Sequence, residues 1–152
     1  MAVRVQAEDF DPGVEIAALT KDRTSIGGVA VFIGLARDMA VGEAVRAMTL
    51  EHYPGMTERK LADIEAEARR RWPLVDSLIV HRYGRLEPGD RIVLVVTAAE
   101  HRAPALAACQ FLIDWLKTQA PFWKEEETRR GTRWVAAKDE DDDAVGRWRG
   151  GP

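Results

Sequence analysis

A chain of 152 residues, 46% hydrophobic and 31% charged, has the length of one ordinary domain and the balance of a core-forming globule, which excludes intrinsic disorder, collagen-like repeats and coiled coil. Its 22 basic and 25 acidic residues leave a formal charge of -3, so no global field draws it to nucleic acid and any basic patch must be local. The single cysteine, Cys109, excludes an intramolecular disulfide and any thiolate-rich zinc or iron–sulfur centre. The longest apolar runs, such as Ile92 to Ala99, fall far short of the roughly 20 residues a membrane helix needs. The first residues carry Glu8, Asp9, Asp11 and Glu15 with no continuous apolar stretch, so no secretory signal is expected and the expected address is the cytoplasm.

In chain order, Pro12 to Thr20 reads as a short helix capped by Asp11, with Val14, Ala17 and Ala18 on its inner side. Gly27 to Ile33 is apolar throughout, which predicts a strand buried on both faces, followed by a loop over 34–42. Ala47 to Tyr53 alternates Met48, Leu50 and His52 against Thr49, Glu51 and Tyr53, a strand with two unlike faces ended by Pro54-Gly55. Thr57 is placed to cap a helix running to about Trp72, whose buried stripe is Leu61, Ile64, Ala68 and Trp72. The run Arg69-Arg70-Arg71 reads as a solvated face, because Glu65 and Glu67 each precede an arginine by four residues.

Ser77 to Tyr83 and Arg91 to Ala98 read as antiparallel neighbours on either side of the turn Leu86-Glu87-Pro88-Gly89-Asp90. A helix from about Pro104 to Gln119 carries one stripe of Leu106, Cys109, Ile113 and Leu116 and a second of Ala108, Phe111 and Trp115, so both sides should be covered. Thr132 to Ala136 offers a last short strand before the acidic run Asp139 to Asp143. Strands and helices mix without a regular βαβ alternation, which predicts a single α+β domain over 1–137 with mainly antiparallel pairing, then a flexible acidic tail over 138–152.

Several residues are candidates for chemistry. His101 and Arg102 sit where a strand ends and a helix begins, and a helix N-terminus with a cation beside it favours a phosphate. Lys117 projects about 20° from Leu106 at 100° per residue, on the edge of an apolar stripe, where partial desolvation prepares an amine for proton transfer. A snorkelling helix-end cation is the plainer reading of the same lysine. Lys124 lies beyond Pro121 and beside Glu125, so that two lysines flank the apolar segment Gln-Ala-Pro-Phe-Trp. Arg37 follows Gly34-Leu35-Ala36, a loop whose glycine permits close approach to a ligand. His52 and His81 lie within strands without a third ligand at metal spacing, so no metal is expected, and phosphate-loop, dinucleotide and nucleophile-elbow signatures are absent.

Taken together, the segments Phe32-Ile33-Gly34-Leu35-Ala36-Arg37, Leu50-Glu51-His52-Tyr53-Pro54-Gly55-Met56, Arg71-Trp72-Pro73, His81-Arg82-Tyr83-Gly84, His101-Arg102 and Leu116 to Glu125 resemble the MoaE family, the large catalytic subunits of molybdopterin synthase, in family order over roughly residues 25–137. The resemblance implies an α/β hammerhead fold and a homodimer that binds a small ubiquitin-like sulfur-carrier subunit at each outer end. That partner's C-terminal Gly-Gly thiocarboxylate would sulfurate cyclic pyranopterin monophosphate twice, with no cofactor, which suits a chain with one thiol. By match of motif, Arg37, His101 and Arg102 would bind the substrate with the backbone of Leu35 and Ala36. Lys117 and Lys124 would be catalytic as well as substrate-binding, and Glu125 and Glu126 would help Lys124 orient the substrate. Lys138 stands where the family often has arginine, keeping the charge but losing the bidentate fork. From the residues alone, a non-enzymatic sensor of a phosphorylated metabolite and a lysine Schiff-base enzyme acting without a partner remain alternatives.

Overall fold

Asp11 caps the first helix as its position predicts: its carboxylate accepts from the backbone N–H groups of Gly13 and Val14 and starts α1 (Pro12–Thr20). The structure is a computed structural model that describes residues 2–40, 43–128, 131–135, 145–146 and 148–149. Before α1 runs β1 (Ala2–Gln6), and after it come β2 (Gly28–Leu35), the two-residue β3 (Met39–Ala40) and β4 (Glu43–His52). Then follow α2 (Met56–Arg71), β5 (Leu74–Arg82), β6 (Gly84–Leu86), β7 (Arg91–Ala99), α3 (Arg102–Gln119), β8 (Phe122–Thr128) and β9 (Gly131–Val135). No described helix is long and apolar enough to cross a membrane.

The first sheet has the order β1-β5-β7-β2, with β1 parallel to β5 and the other neighbours antiparallel. Alternation gives β5 and β7 two buried faces. Ile79, Val93 and Val95 point to α2 and α3, where they meet Leu61, Ile64, Ala68, Phe111 and Leu112. Leu78, Val80, Leu94 and Val96 point the other way, against Phe10, Ile16 and Leu19. Each fully buried side chain of this kind stabilises the fold by about 1.5–3 kcal/mol. The second sheet runs β3-β4-β8-β9, with β6 on β4, around Ala36, Met48, Leu50 and Leu86. The single α+β domain with mainly antiparallel pairing is therefore as expected.

Four local expectations are corrected. The apolar strand β2 is not buried on both faces: it is a terminal strand, and Val29, Val31, Phe32, Ile33 and Leu35 are exposed. An apolar run does not by itself place a strand inside the sheet. Thr57 does not cap α2. Gly55 takes that place at φ 85°, with Glu58 accepting from its N–H at 2.6 Å, while Thr57 Oγ1 accepts from Tyr53 N at 3.0 Å and donates to the Pro121 carbonyl at 3.2 Å. Val14 and Leu106 are 63% and 61% exposed, and Ala17 and Ala18 are exposed as well, because α1 packs through Ile16 and Leu19 and α3 through Ala105, Phe111 and Leu112. The triple arginine is solvated only in part: Arg71 is buried against Phe111, held by Glu67 at 2.9 Å.

Within the span expected to be a flexible tail, residues 138–144, Lys138 among them, lie outside the described residues. Beyond them, Val145 is buried and Trp148 docks edge-on against Trp72 and Phe111. Its indole N–H donates to Asp114 at 2.6 Å, and its carbonyl accepts from Arg71 at 2.7 Å.

Candidate functional site

The C-terminal end of β2 is held tightly. A side chain at Gly34 would come within 2.7 Å of Val93, and Ala36 is fixed by two backbone hydrogen bonds to the turn before β7, Ala36 N to Asp90 O at 2.9 Å and Gly89 N to Ala36 O at 2.7 Å. Ala36 is buried with Leu50, Leu86 and Phe122, which presents Leu35 and Arg37 on the surface beside the second sheet.

The two lysines arrive at this end from different elements. Lys117 sits in the last turn of α3 and is exposed, not partly desolvated as its angle on the helix suggested. The chain turns at Ala120 and re-forms as β8, whose Phe122 lies opposite His52 and whose Lys124 lies opposite Leu50 on β4. Strand alternation puts Phe122, Lys124 and Glu126 on one face of β8 and Glu125 on the other. Lys124 Nζ meets Glu126 Oε1 at 3.2 Å, and Glu126 is almost wholly buried, so one carboxylate holds this ammonium in place. Glu125 is outside that pair.

Near the lysines lies a ring cluster of His52, His81, Tyr83 and Phe122. His81 stacks on Phe122 with centroids 3.9 Å apart and planes at 19°. His52 stacks on Tyr83 at 4.1 Å and lies 6.5 Å from Phe122. His81 Nδ1 is 2.8 Å from the Arg82 carbonyl, and burial, with the charges of Lys117 and His52, pushes its pKa down to about 4. Its imidazole is neutral at physiological pH. The signal that could have revealed this cluster is weak: β8 reads Phe-Trp-Lys-Glu-Glu-Glu-Thr, where charge hides the strand alternation.

His101 and Arg102 are elsewhere. His101 is the N-cap of α3 without a side-chain cap hydrogen bond, both side chains are exposed, and the dipole end of the helix suits an anion. This junction abuts the start of β2, where a side chain on Gly27 would collide with the Glu100 carbonyl at 2.0 Å. Gly28 pairs with Ala99 and Leu35 with Arg91, so Arg37 and His101 occupy opposite ends of β2, about 23 Å apart at 3.3 Å per residue. Likewise Lys117 is fifteen residues from Arg102 along α3, about 22 Å at 1.5 Å per residue. One chain therefore brings Arg37, Lys117, Lys124 and Glu126 to one end and leaves His101 and Arg102 at the other.

Cys109 is buried and its thiol is pushed up to about 11 by that burial, so it is no nucleophile at neutral pH. Among the described residues no group of three or more His, Cys, Asp or Glu is placed to hold a metal.

Against known proteins, a family model described as MoaE protein matches residues 5–119. The molybdopterin synthase catalytic subunit of Ralstonia nicotianae is 55% identical over 146 residues, covering 96% of this chain and 83% of that protein. The molybdopterin biosynthesis MoaE protein from Burkholderia ambifaria superposes with a TM-score of 0.83 at 54% identity, covering 97% of this chain and 98% of that one. The crystal structure of molybdopterin synthase from Staphylococcus aureus gives a TM-score of 0.80 at 31% identity, covering 88% of this chain and 96% of that one.

Proposed function

Since the chain belongs to the MoaE family, we propose that it is the large, catalytic subunit of a molybdopterin synthase, a sulfur-transferring enzyme of molybdenum cofactor biosynthesis working in the cytoplasm. In this reading a small ubiquitin-like subunit delivers sulfur as a C-terminal Gly-Gly thiocarboxylate, and the acceptor is cyclic pyranopterin monophosphate. The observation that carries the reading is the meeting of the Arg37 loop, Lys117 and Lys124 at one end of a chain of this family. Three cations there suit an anionic thiocarboxylate and a phosphate. Each sulfur bonds to a substrate carbon in place of an oxygen, which leaves as water or phosphate; water then cleaves the bond between that sulfur and the partner's acyl carbon, and the partner leaves as a carboxylate. Lys117 stabilises the tetrahedral oxyanion of that step or supplies its proton, and Lys124, steadied by Glu126, orients the substrate.

The chain works as a homodimer in which each site is shared. The exposed apolar edge strand β2 is the surface that supports this. A two-fold axis through the middle of β2 pairs it antiparallel with its copy, so the Leu35–Arg37 end of one protomer meets the Gly28 end of the other. The partner's His101 and Arg102 then stand beside Arg37, so that these three groups, separated within one chain, form one anion pocket with Lys117, Lys124 and Glu126. Glu125, on the far face of β8, makes its contribution through the strand rather than at the reacting atoms.

Mixing the purified chain with a thiocarboxylated ubiquitin-like subunit and cyclic pyranopterin monophosphate tests the function. The expected result is a dithiolene product and a partner returned with a carboxylate end. A partner that keeps its sulfur in a stable complex with this chain contradicts the reading.

A further inference from the structure

Thr57 is completely buried in the first turn of α2, and the helix does not use its hydroxyl as a cap. A hydroxyl taken out of water this way is costly unless it is hydrogen-bonded. The β4–β8 register shows where this one is used. Opposite residues along that ladder are Leu50 and Lys124, Glu51 and Trp123, and His52 and Phe122, so the next rung falls on Tyr53 and Pro121. Both backbone groups of that rung reach Thr57: the Tyr53 N–H donates to Oγ1 at 3.0 Å, and Oγ1 donates to the Pro121 carbonyl at 3.2 Å. The hydroxyl thus stands between the two strands as the last rung of their ladder. Its place is set by the tight turn through Gly55, whose φ of 85° folds the start of α2 back over the end of β4, with Thr57 N donating to Tyr53 O at 2.9 Å.

We infer that Thr57 is a positioning residue of the lysine site, its hydroxyl fixing the turn that carries the chain from Lys117 on α3 to Lys124 on β8. Ala120 ends the helix in an extended conformation, at φ -70° and ψ 131°, Pro121 follows, and Phe122 N donates back to Ala120 O at 2.9 Å as the strand begins. Phe122 is held by its stack on His81 and by its pairing with His52. Pro121 has no N–H to give to the ladder, so its carbonyl is the backbone group left to tie, and Thr57 ties it. Lys117 lies four residues before this anchor and Lys124 three after it, so a shift of the turn moves one ammonium relative to the other. Such shifts matter to chemistry: a displacement of about 1 Å, caused by a change away from the reacting atoms, can cost about a hundredfold in rate.

The effect of Thr57 on turnover rests on the synthase reading, whereas its hold on the turn does not, and the two are measured apart. Turnover is followed with thiocarboxylated partner and cyclic pyranopterin monophosphate, in variants shown to fold and to bind the partner. Thr57→Val keeps the shape and removes the hydroxyl; kcat falls about tenfold or more while KM for the substrate stays within about twofold. Thr57→Ser and Thr57→Ala both lose the methyl and differ in the hydroxyl, so the serine variant turns over severalfold faster than the alanine variant, and this pair decides the matter if the valine chain does not fold. Wild-type kcat in Thr57→Val, a loss carried by KM alone, or equal rates for the serine and alanine variants overturns the inference. The second measurement is amide hydrogen exchange of the chain without partner or substrate. Without the hydroxyl the turn opens more often, so exchange over residues 120–124 rises severalfold in Thr57→Val and Thr57→Ala, stays near wild type in Thr57→Ser, and is unchanged in β5 and β7. Equal exchange over 120–124 in all four chains overturns the inference. A wild-type chain without turnover contradicts the synthase reading, and the exchange comparison still decides whether Thr57 holds the turn.

Discussion

Lys117 is a surface lysine, and its proposed role rests on its neighbours, not on burial. Replacing it with alanine removes one ammonium and no core volume, so the fold and the complex with the small subunit should survive while dithiolene formation is lost. Assaying product and complex in the same samples checks both halves; a variant that makes product at the normal rate returns Lys117 to a helix-end cation. His81 offers a second readout at this scale. Its pKa is about 4 in the fold against an ordinary 6.5, so between those values the unfolded state binds the extra proton and acidification removes stability. Glu65, raised by burial, acts with the opposite sign, giving stability below 4.5 that is lost as pH rises through its folded value. Comparing wild type with His81→Phe cancels the Glu65 contribution. The stability difference by urea unfolding should move in favour of the variant as pH drops from 7 toward about 4.5. A difference independent of pH would mean that His81 is protonated in the folded protein.

At the scale of elements, β2 carries the most. A single carboxylate at its exposed centre, Phe32→Asp, leaves the core untouched but would place two like charges together at the proposed two-fold axis. The expected outcome is a folded monomer by sedimentation with little remaining turnover; a stable dimer would move the interface away from β2. The same strand shows where sequence reading succeeds and where it stops. The existence of helices α1, α2 and α3 and of the antiparallel pair β5–β7 was legible from the Asp11 cap, the stripes through Leu61 and Cys109 and the turn before β7, but the cap of α2 and the packed side of α1 were not. The existence of β2 was legible too, but not its exposure, since hydrophobicity does not say where in a sheet a strand lies. β8 was read only as a motif because its alternation is written in charges, and β1 and β6 are too short to show a period. Of the candidate site, the residue types were legible and their grouping was not. Arg37 and His101 are separated by the length of a strand, a distance that only the β2–β7 register reveals.

For the whole molecule, the decisive question is whether each site is built from two protomers. Arg37 and Arg102 lie at opposite ends of one chain, yet both belong to the proposed anion pocket. Each arginine contributes charge-assisted hydrogen bonds worth about 1.5–3 kcal/mol, so removing either should cost roughly ten- to a hundredfold in substrate affinity at both sites of a uniform dimer. A dimer with Arg37→Ala on one protomer and Arg102→Ala on the other behaves differently. One of its sites loses both arginines, and the other keeps both intact. The most direct measurement is therefore dithiolene formation, at low substrate, by the two variants co-expressed, against each variant alone. Random pairing of protomers predicts recovery to about a quarter of wild-type activity, since half of the dimers are mixed and each has one whole site. A co-expressed mixture no more active than the single variants would contradict the shared site and place all the anion-binding groups within one chain.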